Sequence, residues 1–124
     1  MGISAVAPSR QKVEEWTKRE QKIADGGGMV MMPRPAGAVP GGACGVHGLR
    51  ILPPRENGGN FDVKQLTKGA KLFLPVYVDG GLFSTGDGHF AQGDGEVCVN
   101  AIEMGATVAV RFKRHTVLPE AIFG

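Results

Sequence analysis

The chain has 124 residues, of which 42% are hydrophobic and 21% charged, and its formal net charge is +2. This length suits one domain, and so small a net charge argues against nucleic acid or an anionic membrane as a partner. The longest apolar run, Leu72–Val78, is far shorter than the roughly 20 residues that a membrane-spanning helix needs.

Two further features favour a cytoplasmic protein. The N-terminal sequence lacks the basic stretch and the long apolar stretch of a secretory signal. Cys44 and Cys98 lie far apart and belong to no CxxC pair, so they do not suit a zinc finger. We expect both cysteines to be free thiols.

One helix is predicted, close to the N-terminus. The segment Arg10–Asp25 contains neither Gly nor Pro, and Ser9 before it suits an N-cap. Three glycines, Gly26–Gly28, follow it as a terminator. Its apolar residues fall near one face and would dock the helix on the surface: Val13, Trp16 and Ile23.

The next segment, residues 26–46, is rich in Gly and Pro and fits neither the helical nor the strand period. It is predicted to be irregular. Its apolar run Met29–Met32 is too hydrophobic for a free linker. We expect this run to be buried, either within the chain or against another chain.

From residue 47 onward the pattern is typical of β-structure. Four segments are predicted as strands: residues 47–52, 70–78, 95–103 and 106–114. In the last of these, every second residue from Ala106 to Phe112 is apolar. The basic stretch Arg111–His115 shares this alternation, so it is predicted as a solvated strand face rather than a nucleic-acid site.

These elements predict a mainly β fold: a glycine-rich, barrel- or sandwich-like domain with one N-terminal α-helix. Glycine accounts for 20 of the 124 residues, against a usual ~7%, so we expect many turns. The chain would form a single domain, or a fragment of one, in three parts. These are the helix-bearing residues 1–25, the irregular residues 26–46 and the β-rich residues 47–124, which carry the site motifs.

The stretch "FSTGDGHFAQGDGE", Phe83–Glu96, combines repeated Gly-Asp-Gly with a histidine and no lysine or arginine. Its glycines would allow tight reversals, so that its polar side chains converge: Asp87, His89, Gln92, Asp94 and Glu96. An imidazole with carboxylates is a suitable ligand set for zinc, manganese or iron(II). A solvated acidic loop is the alternative, and on spacing alone it is the simpler interpretation.

A second polar stretch, "PPRENGGNFD", spans Pro53–Asp62. Its Asn, Gly and Asp residues are those that ordinary turns use. Alternatively, the stretch is a second loop that supplies hydrogen bonds or a carboxylate to a shared site. Composition leaves both interpretations open.

Taken together, the two stretches resemble the acetamidase/formamidase family. That family shows a P-R-E-N-G-G-N-x-D block followed by G-D-x-H-x-x-Q-G-D-G-E and A-I-E-M, and here "PRENGGNFD", "GDGHFAQGDGE" and "AIEM" occur in that order. Upstream, "GISAVAPS" is similar to the family's G-x-x-G-V-A-P-S element. The resemblance runs from about Gly2 to Phe112, although Gly81 and Gly88 stand where the family has larger residues.

The resemblance implies hydrolysis of short carboxamides, formamide or acetamide, to the acid and ammonia. It also implies a divalent metal, with zinc the first choice, and assembly as a homo-oligomer. By motif it implies catalytic roles for Glu56, Asp94 and Glu96, substrate binding by Asn60 and Gln92, and metal binding by Asp87 and His89. Two further acids are carried over without a role: Asp62 and Glu103.

In such a site, a metal held by His89 and Asp87 would polarise the amide carbonyl and activate water. Glu96 or Glu56 would take the proton of that water and pass it to the leaving ammonia. A metal-free alternative, with Cys98 as nucleophile, is disfavoured because Cys98 lies in an apolar strand pattern.

The resemblance covers only the middle of the family sequence. It therefore leaves two hypotheses open. The chain is an active amidase, or it is a truncated, catalytically inactive, β-rich fragment that binds metal or self-associates.

Overall fold

Two small antiparallel sheets and one long helix dominate the regular structure of residues 1–34 and 41–116, the part of the chain that the computed structural model describes. The elements in chain order are β1 (Ile3–Ala5), α1 (Arg10–Asp25), α2 (Ala43–His47), β2 (Gly58–Asn60), β3 (Ser84–Gly86), β4 (Gly88–Ala91), a 3-10 turn (Asp94–Glu96) and β5 (Ile102–Met104).

The first sheet has the order β2-β1-β3, with β1 pairing antiparallel to both neighbours. Gly58 allows the close approach of β2, because a Cβ there would lie 2.9 Å from the Cα of Ala5 and its φ is +95°. The second sheet pairs β4 with β5. Asp87 alone separates β3 from β4, so both sheets meet at this residue.

The predicted helix is confirmed as α1. The hydroxyl of Ser9 accepts a hydrogen bond from the backbone N–H of Lys12 at 3.2 Å. At the other end the N–H of Gly28 donates to the carbonyl oxygen of Ile23 at 2.8 Å. Val13 and Trp16 are buried as expected. Ile23 is 47% exposed, so its predicted docking role is wrong.

Glu20 is buried on α1 instead, because it pairs with the buried guanidinium of Arg55. Both carboxylate oxygens of Glu20 accept from Arg55 at 2.8 Å. The remaining guanidinium N–H groups donate to backbone carbonyl oxygens of Met31, Arg50 and Pro53. All five donors of Arg55 are thus satisfied, which ties the second polar stretch to α1.

The hydrophobic core lies where β1 meets α1, and it consists of Ala5, Val6, Val13 and Trp16. Asn57, 1% exposed, anchors the neighbouring loop there. Its Nδ2 donates to the backbone carbonyl oxygen of Val6 at 2.7 Å, and its backbone carbonyl oxygen accepts from the N–H of Val6 at 2.9 Å. Edge-to-face contact with Tyr77, at 6.1 Å between ring centroids, extends the packing of Trp16.

The mainly β prediction with one N-terminal helix is confirmed. Strands outnumber helices, α1 is the one long helix of the described residues, and the two sheets are sandwich-like. No closed barrel forms within residues 1–34 and 41–116.

Most of the individual strand predictions are wrong. Residues 70–78 and 106–114 lie in no strand. Residue 47 ends α2, and residues 48–52 lie in no strand either. Residues 95–103 contribute only their last two residues to β5. Alternation describes a surface that suits a sheet, but a strand also needs a neighbour that completes its hydrogen bonds. Within the described chain no segment takes that place, and Phe112 is 70% exposed.

Residues 26–34 are irregular, as predicted, whereas α2 begins inside the predicted irregular segment; residues 35–40 lie outside the described part. The apolar run is only partly covered in the described chain, since Met29 is 99% and Met31 43% exposed while Val30 and Met32 are half-buried. Burial against another chain stays a prediction. No described helix is both long enough and apolar enough to cross a membrane.

Candidate active site

The side chain of His89, in β4, is surrounded by acids. It is only 3% exposed. Its Nε2 atom faces three carboxylate oxygens: Asp87 Oδ1 at 3.1 Å, Glu103 Oε2 at 3.4 Å and Glu96 Oε1 at 3.7 Å. We call these four residues, together with Asp62, the acidic cluster.

Local backbone structure brings the members of the acidic cluster together. Glu103 lies opposite His89 in the antiparallel register of β4 and β5. Asp87 occupies the junction of the two sheets, and Glu96 ends the 3-10 turn after β4. The predicted convergence of Asp87, His89 and Glu96 is therefore observed.

Asp62 joins the cluster from the second polar stretch through Gly2, the residue before β1. The carbonyl oxygen of Gly2 accepts hydrogen bonds from the N–H groups of Phe61, at 2.7 Å, and Asp62, at 3.2 Å. The N–H of Gly2 donates to the carbonyl oxygen of Asp87 at 2.8 Å. Residue 2 thus bridges the two motifs that were recognised separately in the sequence.

Gly2 also leaves space for the acids. A Cβ atom at this position would lie 2.7 Å from Asp62 Oδ1 and 2.8 Å from Asp87 Cγ, closer than real Cβ atoms come. Sequence reasoning missed this role. The only signal was that Gly2 opens the element similar to the family's G-x-x-G-V-A-P-S.

The chain reverses at the acids more than at the glycines. Asp62, Asp87 and Glu96 have φ values of 48°, 59° and 45°, in the left-handed region, whereas among the glycines of the Gly-Asp-Gly repeats only Gly95 does, with φ of 69°. The expectation that the flanking glycines make the reversals was therefore largely wrong. Asp tolerates this region better than Glu, so Glu96 is the more strained residue, as is common at functional sites.

The environment shifts the protonation of two cluster members. The hydrogen bond to Gln92 raises the pKa of His89; burial opposes this effect, and Asp87 and Glu103 reinforce it. Burial raises the pKa of Glu96. The carboxylate of Asp62 raises it further, by accepting a hydrogen bond from the protonated form and by its charge, whereas His89 lowers it.

The donor set of the cluster fits a divalent metal ion. Two overlapping groups, Asp62–Asp87–His89 and His89–Glu96–Glu103, each place their ligand atoms within 4.8 Å of one another. Asp62 Oδ1 is buried and has no hydrogen-bond partner in the described chain. A buried, unpartnered carboxylate oxygen is costly, and a cation would satisfy it.

Two predicted site residues lie elsewhere. Glu56 forms a bidentate pair with Arg19 of α1, at 2.5 and 3.3 Å. The side chain of Asp94 is 76% exposed and pairs with Lys64 at 2.9 Å. Neither of these two acids lines the cleft beside the acidic cluster.

The two predicted substrate-binding amides both contact Asp62. Asn60 Nδ2 donates to Asp62 Oδ2 at 2.6 Å. Gln92 Nε2 donates to the carbonyl oxygen of Asp62, and Gln92 Oε1 lies 2.8 Å from His89 Nδ1.

A cleft of about 580 Å³ opens beside the acidic cluster. Its polar side comprises Asn60, Asp62, Asp87, Glu96 and Glu103, and its apolar side comprises Ile51, Leu52, Val97 and Val99. Apolar walls with a few converging polar groups are typical of small-molecule sites. The arrangement can hold a small organic molecule against the acids.

The sequence model of the Acetamidase/Formamidase family matches residues 1–118, nearly the whole chain. The chain belongs to this family. The family assignment made from the two motifs is therefore confirmed.

Relatives agree with this membership. An acetamidase from Mycolicibacterium smegmatis is 38% identical over 120 residues, which cover 86% of this chain and 30% of that protein. A formamidase from Methylophilus methylotrophus is 39% identical over 123 residues, covering 89% and 30%. The solved gamma lactamase from Delftia acidovorans is 39% identical, with a TM-score of 0.65, and the match covers 83% of this chain and 28% of that one. The chain thus spans about 30% of the length of the curated relatives it matches.

Proposed function

We propose that the acidic cluster is the hydrolytic site of a metal-assisted amidase that acts on short carboxamides, formamide or acetamide, and releases the acid and ammonia. The observation that carries this proposal is the His89 side chain, only 3% exposed, whose Nε2 faces three carboxylates beside a cleft of about 580 Å³. Relatives named acetamidase and formamidase support amide hydrolysis as the reaction class.

The proposed cofactor is zinc, with His89 and Asp87 as ligands and Asp62 as a further candidate carboxylate of the same group. The unpartnered oxygen of Asp62 and the imidazole–carboxylate donor set support this choice. When bound, zinc would polarise the amide carbonyl and lower the pKa of a coordinated water toward ~7.

Glu96 is the proposed general base. Its side chain is only 10% exposed, and burial raises its pKa toward the range in which a carboxylate accepts a proton efficiently. It would take the proton of the attacking water and return it to the leaving ammonia. Asn60 lines the cleft and is proposed to hydrogen-bond the substrate. The contacts of Glu56 and Asp94 give no support to a catalytic role.

The test is ammonia release from formamide and acetamide by the purified chain with zinc. Glu96→Gln should abolish turnover and leave zinc bound, because it removes the base and keeps the shape. Asp94→Asn, an exposed acid from the same motif, is the matched control and should retain activity. Equal loss of zinc and activity in Glu96→Gln would make Glu96 a ligand instead.

A second candidate function is an inactive, metal-binding or self-associating fragment of the family. The observation that favours it is the large exposed apolar surface of the described chain, where Met29, Val97 and Val99 are 99%, 86% and 88% exposed. We propose that a homo-oligomer covers part of it. Stoichiometric zinc binding without ammonia release would favour this candidate, and sedimentation of the purified chain would measure its self-association.

We also propose a cytoplasmic location, with small amides rather than nucleic acids or membranes as partners. Cys44 and Cys98 are free and exposed, which suits a reducing compartment. Fractionation of cells that express the tagged chain would test the location. Recovery with secreted or membrane proteins would contradict it.

A further inference from the structure

Gln92 uses both ends of its side-chain amide on the protein itself. Nε2 donates to the backbone carbonyl oxygen of Asp62, and Oε1 lies 2.8 Å from Nδ1 of His89. A carbonyl oxygen can only accept a hydrogen bond, and the reversed amide would place two oxygens against each other. The orientation of the Gln92 amide is therefore determined by Asp62.

This orientation decides which nitrogen of His89 keeps its proton when the other binds a metal ion. Because Oε1 can only accept, Nδ1 of His89 donates to it, and Nε2 faces the carboxylate of Asp87 at 3.1 Å, so both nitrogens donate while the ring is protonated. A metal ion would replace the proton on Nε2, which faces Asp87, Glu96 and Glu103, and Gln92 would keep the proton on Nδ1. With the ring only 3% exposed, bulk water has little access to replace the amide.

We propose that Gln92 is a positioning residue rather than a substrate-binding one: it fixes the tautomer and ring orientation of His89 by linking the ring to the backbone of Asp62. The inference rests on the proposed function, because it prepares Nε2 to bind the proposed metal. One side chain thus contacts two candidate metal ligands, His89 and Asp62, which belong to separate motifs. A partner that holds a ligating histidine in this way typically contributes roughly 10–100-fold in metal affinity.

Substitutions at position 92 separate the two ends of the amide. Gln92→Met has a similar length and loses both hydrogen bonds. Gln92→Glu loses the donor to Asp62 but keeps an acceptor for the Nδ1–H of His89. Gln21→Met, at an exposed glutamine of α1 whose amide contacts Asp25, is the matched control.

The first readout is the tautomer of His89 in the zinc-loaded protein without any amide, from the ¹⁵N shifts of its ring. We expect the proton on Nδ1 alone, with zinc on Nε2, in the unsubstituted chain, in Gln92→Glu and in Gln21→Met, and a mixture of both arrangements in Gln92→Met. Failure of the unsubstituted chain to bind zinc would overturn the proposal. A pure Nε2–H form in the unsubstituted chain would overturn the proposal. So would an unchanged tautomer in Gln92→Met.

The second readout is zinc affinity, from competition with a chelator and without any amide present. Gln92→Met should bind zinc roughly 10–100-fold more weakly, and Gln92→Glu should recover most of that loss. Equal losses in both variants would indicate a merely structural role and overturn the proposal.

These outcomes are distinguishable from failure of the proposed amidase. If Gln92→Met changes the tautomer of His89 but the unsubstituted chain releases no ammonia, the positioning role of Gln92 stands and the proposed activity is wrong. A chain that releases ammonia with a mixed His89 tautomer retains the activity and loses the positioning role.

Discussion

His89 and Glu103 stand opposite each other on β4 and β5, with Nε2 of the histidine 3.4 Å from Oε2 of the glutamate. The pair joins two motifs of the sequence, "GDGHFAQGDGE" and "AIEM", because the antiparallel register of β4 and β5 brings them together. Cross-strand neighbours of this kind interact directly through their side chains.

Replacing Glu103 should therefore lower the pKa of His89. Glu103→Gln removes a negative charge that helps to raise it. Folding raises the pKa of His89 above its ordinary value of 6.5, so protonated His89 stabilises the fold fully below pH 6.5. This stabilisation is lost as the pH rises through the folded-state pKa. The variant should therefore lose stability mainly at acidic pH. NMR titration of the zinc-free chain measures the shift. Glu14→Gln, on the exposed side of α1, is the control, and an unchanged His89 pKa in Glu103→Gln would contradict the expectation.

A methyl group at position 2 should disrupt the acidic cluster. In Gly2→Ala the new Cβ would crowd the carboxylates of Asp62 and Asp87, so we expect a loss of about 1–3 kcal/mol in stability and weaker zinc binding. Denaturant unfolding and chelator competition measure the two effects. Gly105→Ala provides the comparison, because nothing lies within 4 Å of a Cβ there. Similar behaviour of the two variants would show that Gly2 does not shape the cluster.

The buried ion pair between Arg55 and Glu20 should contribute more to the free energy of unfolding than the half-exposed pair between Arg19 and Glu56. Arg55→Met strands a buried carboxylate, at a cost of about 3–5 kcal/mol. Arg19→Met breaks the half-exposed pair with Glu56 and a longer contact with Glu20 at 3.7 Å, and Arg55 still satisfies Glu20, so the loss should be about 0.2–1 kcal/mol. Urea unfolding of both variants makes the comparison. The double variant Glu20→Met/Arg55→Met should recover much of the larger loss, and equal effects of the two single variants would refute this ranking.

The placement of Glu56 predicts a stability effect without an effect on zinc. The hydrogen bond from Arg19 lowers the pKa of Glu56 below its ordinary value of 4.5. The ionised carboxylate therefore adds to the free energy of unfolding above that pH, and this stabilisation is lost as the pH falls through the folded-state pKa. Glu56→Gln should cost about 0.2–1 kcal/mol at neutral pH and nothing in strong acid. Unfolding curves at several pH values test this. A large loss of zinc affinity would instead place Glu56 in the site.

Local signals predicted the parts of this protein whose causes are local. The helix α1 begins after Ser9 and ends at glycines, because capping and helix propensity act within a few residues. The convergence of Asp87, His89 and Glu96 was also predictable, since all three lie within one short glycine-rich stretch.

The sequence could not predict which acids of one motif reach the acidic cluster. Glu56 and Asp62 belong to the same short stretch, yet Arg19 draws the first to α1 while the backbone of Gly2 holds the second at the cluster. The strand predictions after residue 47 were wrong for a similar reason. An alternating pattern contains no information about whether a hydrogen-bonding neighbour is present.

By itself, the sequence determined the family, the N-terminal helix and the two motifs that carry the candidate site. Only the tertiary structure decided that His89 faces Asp87, Glu96 and Glu103, that Gln92 links it to Asp62, and that Gly2 makes room for the acids. The physical reason is distance along the chain. Helix capping acts over a few residues, whereas this site depends on contacts between β1, the second polar stretch and β4, which only the packed chain brings together.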